Sequence, residues 1–139
     1  MIMPFWEVKH TADRMVEVES KTLPGLFEEA LKALCFLYGK AGVKKDVKQK
    51  RVNIRLRAKS PEELLVLFLN EIIFLTEREK LTFPSGKVRI TREGEDNLLT
   101  ASVINGKLSY STEIKSATYH NLKIKKVKNR WRTRIVFDV

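Results

Sequence analysis

One cysteine, Cys35, and two histidines, His10 and His120, are all the thiol and imidazole chemistry in these 139 residues. An internal disulfide is therefore excluded, and neither a CxxC pair nor a histidine cluster exists from which to build a zinc site. Cys35 sits in the mostly apolar run 31–37 and reads as a buried thiol behaving as a small hydrophobe. Long hydrophobic runs are also missing. The most apolar stretch, 64–75, is far short of a membrane span, and no basic start with an apolar run and cleavage site opens the chain. A soluble protein retained in the cytoplasm is expected. There is no P-loop, dinucleotide fingerprint or nucleophile–base motif, so a non-enzyme is expected. Repeats, low-complexity tracts and linkers are absent as well, and the length suits one core, hence a single domain over 1–139.

Positive charge is what the chain has in excess: 27 Lys plus Arg against 17 Asp plus Glu, a formal net charge of +10. Such a field favours an anionic partner, whether RNA, DNA or an acidic protein surface. Two clusters stand out, Lys44, Lys45, Lys48, Lys50 and Arg51, then Lys123, Lys125, Lys126, Lys128, Arg130, Arg132 and Arg134. Direct RNA contact, through Lys123, Lys125 and Lys126 in particular, is one reading, and it would weaken steeply with salt. A merely solvated face, or the charge enrichment of a thermophile, is the other.

Periodicity organises the chain. Residues 5–9 and 15–19 read as short strands around the polar connection His10-Thr11-Ala12-Asp13, a candidate functional loop. From Thr22, apolar residues at spacings of three and four through Leu37 predict a helix that stops at Gly39. Val52, Ile54, Leu56 and Ala58 alternate with Asn53, Arg55, Arg57 and Lys59, predicting a strand with one basic face. Ser60-Pro61-Glu62-Glu63 is a capping-box start for a second helix running to about Arg78. Strands are predicted over 87–91, 98–104, 108–113, 114–120, 122–127 and 131–139, with Asn105-Gly106 as a hairpin turn between the second and third. The basic connection 40–50 looks the least structured part. Two helices among many strands predict an α+β sandwich, the helices packed on a mixed or mostly antiparallel sheet.

Four segments taken in order resemble the archease family: His10-Thr11-Ala12-Asp13; Leu64-Leu65-Val66 leading to Leu69-Asn70-Glu71; Glu113-Ile114-Lys115-Ser116-Ala117-Thr118-Tyr119-His120; and Trp131-Arg132 leading to Val136-Phe137-Asp138-Val139. The resemblance spans nearly the whole chain. It implies an α+β fold and a role as accessory protein to an RNA ligase of the RtcB type, promoting guanylylation of the ligase histidine and repeated turnover in tRNA splicing and RNA repair. It also implies a divalent-cation site formed by Asp13, Asp138 and Val139, and an activating role for Lys115. The sequence departs from the family pattern at Arg14-Met15, where small or aliphatic residues are usual, at Leu67, where many relatives carry an acid, and in its strong basicity.

Hard oxygen ligands of this kind suit Ca²⁺ or Mg²⁺ better than zinc or copper. Without the resemblance, Asp13 would be a turn residue and Asp138 a solvated strand end. Lys115 is either a point charge for a phosphate, a nucleotide or an acidic patch on the ligase, or an ordinary exposed lysine. His10 and His120 read as structural hydrogen-bonders, with a general base as the alternative. Asn70 and Glu71 either order a loop near the site or lie on a helix surface. Tyr119 and Trp131 read as core or core-edge aromatics.

Overall fold

The strands Arg51–Ala58, Asp96–Ile104 and Arg130–Asp138 alternate more and less buried side chains and each helix carries one apolar stripe, and in the computed structural model, which describes residues 13–139, these faces close on one core. The elements are β1 (Asp13–Ser20), α1 (Leu23–Tyr38), β2 (Gly42–Val43), β3 (Arg51–Ala58), α2 (Pro61–Glu79), β4 (Ser85–Glu93), β5 (Asp96–Ile104), β6 (Leu108–Ser109), β7 (Ser116–Thr118), β8 (Lys125–Val127) and β9 (Arg130–Asp138). The strand predicted over 5–9 and residues 10–12 of the predicted loop lie outside the described residues. Asp13 opens β1 instead of standing in a loop. None of the described helices is long and apolar enough to cross a membrane.

Two antiparallel sheets dominate, β1–β9–β7 with β8 also on β9, and β3–β5–β4; β2 and β6 form a two-stranded ribbon. Helix α1 packs against β1, β9 and β4, while α2 packs against β3, β5 and β7, so both helices lie in contact with both sheets. Between the helices, Phe27 and Phe68 meet with ring centroids 6.0 Å apart. Phe27, Phe68, Phe83 and Phe137 are fully buried, and burying each such ring is worth about 1.5–3 kcal/mol.

The helix starts follow local chemistry. Thr22 Oγ1 accepts the Gly25 amide at 3.0 Å and Ser60 Oγ accepts the Glu63 amide at 3.1 Å, each satisfying an orphan donor of the first turn. The expected reciprocal bond from the Glu63 carboxylate is absent among the described residues. Glu62 instead reaches across and accepts the Ile124 amide at 3.0 Å, pinning the chain ahead of β8.

Asn105-Gly106 does not make a hairpin. It carries the chain from β5 to β6, which lie in different sheets. Asn105 is buried, its Oδ1 accepts the Lys50 amide at 2.6 Å, and the Gly106 amide donates to Thr82 O at 2.9 Å. The hairpins lie elsewhere. Glu93 pairs with Asp96 around Gly94, at φ 62°, and Val127 pairs with Arg130 around Lys128 and Asn129, at φ 52° and 66°. Two consecutive positive φ values match the twist of the flanking strands. The strands predicted over 108–113, 114–120 and 122–127 shrink to β6, β7 and β8, because the intervening chain bonds to helix ends: Ser111 and Thr112 both donate to Tyr38 O at 3.0 Å. The connection 40–50 carries β2. Cys35 is half-buried, not a core thiol, since it lies beside the α1 stripe formed by Leu31, Leu34 and Tyr38. Tyr119 is exposed, whereas Trp131 packs at the core edge.

Candidate functional site

Strand β9 is central in its sheet, and its alternation decides what meets what. Thr133, Ile135 and Phe137 are buried, which turns Arg132, Arg134, Val136 and Asp138 to the outer face. Opposite them on β1 stand Glu19, Glu17, Met15 and Asp13 in register. Two rungs of this ladder match opposite charges. Arg134 holds Glu17 at 2.8 Å, and Arg130 and Arg132 approach Glu19 at 2.8 and 3.6 Å. The Arg134 guanidinium, by hydrogen bond and charge, keeps the Glu17 carboxyl below its ordinary range. The last rung breaks the rule: Asp13 is the direct cross-strand partner of Asp138. Like charges directly opposite one another destabilise a sheet, and a bound cation reverses the sign of that effect.

Strand β7 flanks the pair on the other side. Ser116 is paired with Asp138, and the Lys115 amide donates to Asp138 O at 2.8 Å, so the exposed Lys115 is tethered by its main chain next to the acids. Helix α2 holds β7 in place. Asn70 Nδ2 donates to Ala117 O at 3.3 Å and Asn70 Oδ1 accepts the Ala117 amide at 2.8 Å. Asn70 is thus a positioning residue for the strand beside Asp138.

No group of three or more His, Cys, Asp or Glu side chains suited to a metal occurs among the described residues. A cation here would rest on two carboxylates, with main-chain oxygens such as those of Val139 and water completing the shell. That donor set fits Ca²⁺ or Mg²⁺, which accept carbonyl and water oxygens, and does not fit zinc.

The model of the Archease protein family (MTH1598/TM1083) matches residues 5–139. The chain belongs to the archease family. The archease of Methanosarcina barkeri is 32% identical over 136 residues, covering 94% of this chain and 92% of that one. The archease of Thermococcus kodakarensis is 33% identical over 141 residues, covering 96% and 98%. Among solved structures, the crystal structure of an archease and possible chaperone from Thermotoga maritima superposes with a TM-score of 0.62 at 25% identity, covering all of both chains. The solution structure of Methanobacterium thermoautotrophicum protein 1598 shares the archease fold, with a TM-score of 0.69 at 20% identity over 95% of this chain and 96% of that one.

Against the archease pattern, the departures have visible consequences. Arg14 Nη1 donates to Leu37 O at 3.2 Å, placing a cation on a last-turn carbonyl of α1, a favourable helix-end contact. Met15 is exposed beside Val136. Leu67 packs against the core and offers no ligand. Glu71 is half-buried on α2, next in sequence to Asn70. His120 is exposed and accepts from Asn121 Nδ2 at 3.2 Å, and His10 lies outside the described residues. Lys123 and Lys125 line a groove of about 430 Å³ with Glu17, Arg132 and Arg134. Lys126 Nζ stands 5.3 Å over the Trp131 ring.

Proposed function

We propose that this chain is a non-enzymatic accessory protein of an RtcB-type RNA ligase, promoting ligase guanylylation and repeated turnover in tRNA splicing and RNA repair. Membership of the archease family supports an accessory role. The observation that carries the site assignment is the pair of acids set abreast, Asp13 against Asp138, at the end of a ladder whose other charged rungs are matched. Asp13, Asp138 and Val139 hold a divalent cation, Ca²⁺ or Mg²⁺. A bound cation would offset the negative charge of the Asp13–Asp138 pair on the already paired β1–β9 ladder, leaving a charge-balanced contact surface for the ligase. Lys115, tethered through its amide to Asp138, presents its ammonium to a nucleotide phosphate or to an acidic group of the ligase. Catalytic gain then comes from positioning and charge stabilisation at the ligase site.

The test mixes purified ligase with radiolabelled GTP, with and without the protein. Faster labelling is expected, reduced at least tenfold by Asp138→Asn or Lys115→Ala; no gain at any divalent-ion concentration overturns the reading. In parallel, Ca²⁺ should raise the melting temperature of the wild type and leave Asp138→Asn unmoved. The second reading is a basic RNA-binding module, or a chaperone of RNA-modifying enzymes, acting through Lys123, Lys125 and Lys126. It ranks lower because Glu17 pairs with Arg134, Glu19 is shared by Arg130 and Arg132, and Lys126 is engaged by Trp131.

A further inference from the structure

The second large sheet treats its charges differently from the first. In β3–β5–β4 the inner face is closed by Ile54, Val88, Leu99, Ala101 and Val103, all buried. The outer face is set by register: Arg55 lies beside Thr100, which lies beside Arg89, and in the next row Asn53 lies beside Ser102, which lies beside Lys87. These six residues line a shallow groove of about 530 Å³. At the β4–β5 hairpin the cations are neutralised, Arg57 by Asp96 at 2.8 Å and Glu93 at 3.1 Å, and Lys59 by Asp96 at 3.2 Å. Further along the face that compensation stops. Among the described residues, Arg55, Lys87 and Arg89 have no carboxylate within ion-pair distance, and Arg51 bonds only the Ser102 hydroxyl, at 2.9 Å.

We infer that this outer sheet face binds the phosphodiester backbone of a single-stranded nucleic acid, with Arg55, Lys87 and Arg89 as the phosphate contacts and the Thr100 and Ser102 hydroxyls as additional donors. Strand spacing puts Arg55 and Arg89 roughly 10 Å apart across β5, and Lys87 about 7 Å from Arg89 along β4, so one flexible polyanion can satisfy all three. Guanidinium forks beside hydroxyl donors match phosphate oxygens. None of β3, β4 and β5 carries an aromatic residue, so bases have no stacking platform and recognition is through the backbone, independent of sequence. The contrast with β1–β9 makes the choice of face. There Arg132 and Arg134 stand opposite Glu19 and Glu17, whereas among the described residues Arg55, Lys87 and Arg89 have no such partner and are open to an anionic ligand. This inference does not depend on the Asp13–Asp138 site.

The experiment measures anisotropy of a fluorescein-labelled 12-nucleotide oligouridylate titrated with the full chain at several salt concentrations. Each phosphate contact on a single strand contributes about 0.7 to the slope of log K against log salt. The triple variant Arg55→Gln, Lys87→Gln, Arg89→Gln should therefore flatten that slope by about 2 and weaken binding roughly 100-fold at 0.1 M salt. Lys123→Gln with Lys125→Gln and Asp13→Asn should leave binding within a factor of two or three. The changed side chains are all exposed, so the fold should survive; if the triple variant fails to fold, Arg89→Gln alone should lose about fivefold. Unchanged binding in a folded triple variant, loss confined to the Lys123 and Lys125 changes, or displacement of the oligonucleotide by polyglutamate at equal charge concentration each overturns the inference, the last by assigning the face to an acidic protein.

Discussion

Replacing Asn70 by alanine isolates the contact that fixes β7 beside Asp138. The side chain makes two hydrogen bonds, at 3.3 and 2.8 Å, to the carbonyl and amide of Ala117, a residue only 4% exposed. A net hydrogen bond is worth about 1 kcal/mol, and leaving a buried donor or acceptor unpaired costs about 1–3 kcal/mol. With both groups stranded, the expected loss is about 2–3 kcal/mol. For a domain of this size that corresponds to roughly 10 °C in melting temperature. Asn70→Asp separates the two bonds: it keeps an acceptor for the amide but sets a carboxylate against the Ala117 carbonyl, and should be no better than alanine. Urea unfolding gives the free energy, and amide exchange at Ala117 gives the local effect, expected to accelerate about 30- to 150-fold. A melting-temperature shift under about 2 °C together with an unchanged urea m-value would refute the reasoning, since β7 would then be held by β9 alone.

Two further outcomes follow from the same geometry. Phe68→Ala removes a fully buried ring packed on Phe27 and should cost about 3–5 kcal/mol in urea unfolding. Asp96 is held below the ordinary carboxylate range by hydrogen bonds from Arg57 and Lys59, so its contribution is present above the unfolded value of about 4 and is lost as pH falls through the depressed folded value. The melting-temperature difference between wild type and Asp96→Asn should therefore be positive near pH 6 and shrink as pH falls below about 4; a difference constant with pH would show that the pair does not act through charge.

Much of this architecture was legible along the chain because its signals are local. The spacing of Leu26, Phe27, Ala30, Leu31 and Leu34 marks a helix wherever it packs, and Ser60-Pro61 starts one because the cap is made within three residues. The alternation of Val52, Ile54, Leu56 and Ala58 specifies a strand and which of its faces is basic. Local signals are also degenerate. Asn105-Gly106 tolerates the backbone of a hairpin equally well as that of a crossover, and the choice came from Lys48, Lys50 and Thr82, which take up its polar groups from distant parts of the chain. Cys35 read as core because its neighbours are apolar, but helical phase sets it beside the buried stripe.

For the candidate site the division is sharper. The sequence by itself determined which side chains carry charge, and the family motifs singled out Asp13, Asp138 and Lys115 among them. Only the tertiary structure decided their company. Strand register joins Asp13 to Asp138 across 125 positions of chain, pairs Glu17 with Arg134, and leaves Arg55, Lys87 and Arg89 without acids opposite. A charge has the same sign in any fold, but whether it is neutralised depends on groups within a few ångströms, and those distances exist only once the strands have paired.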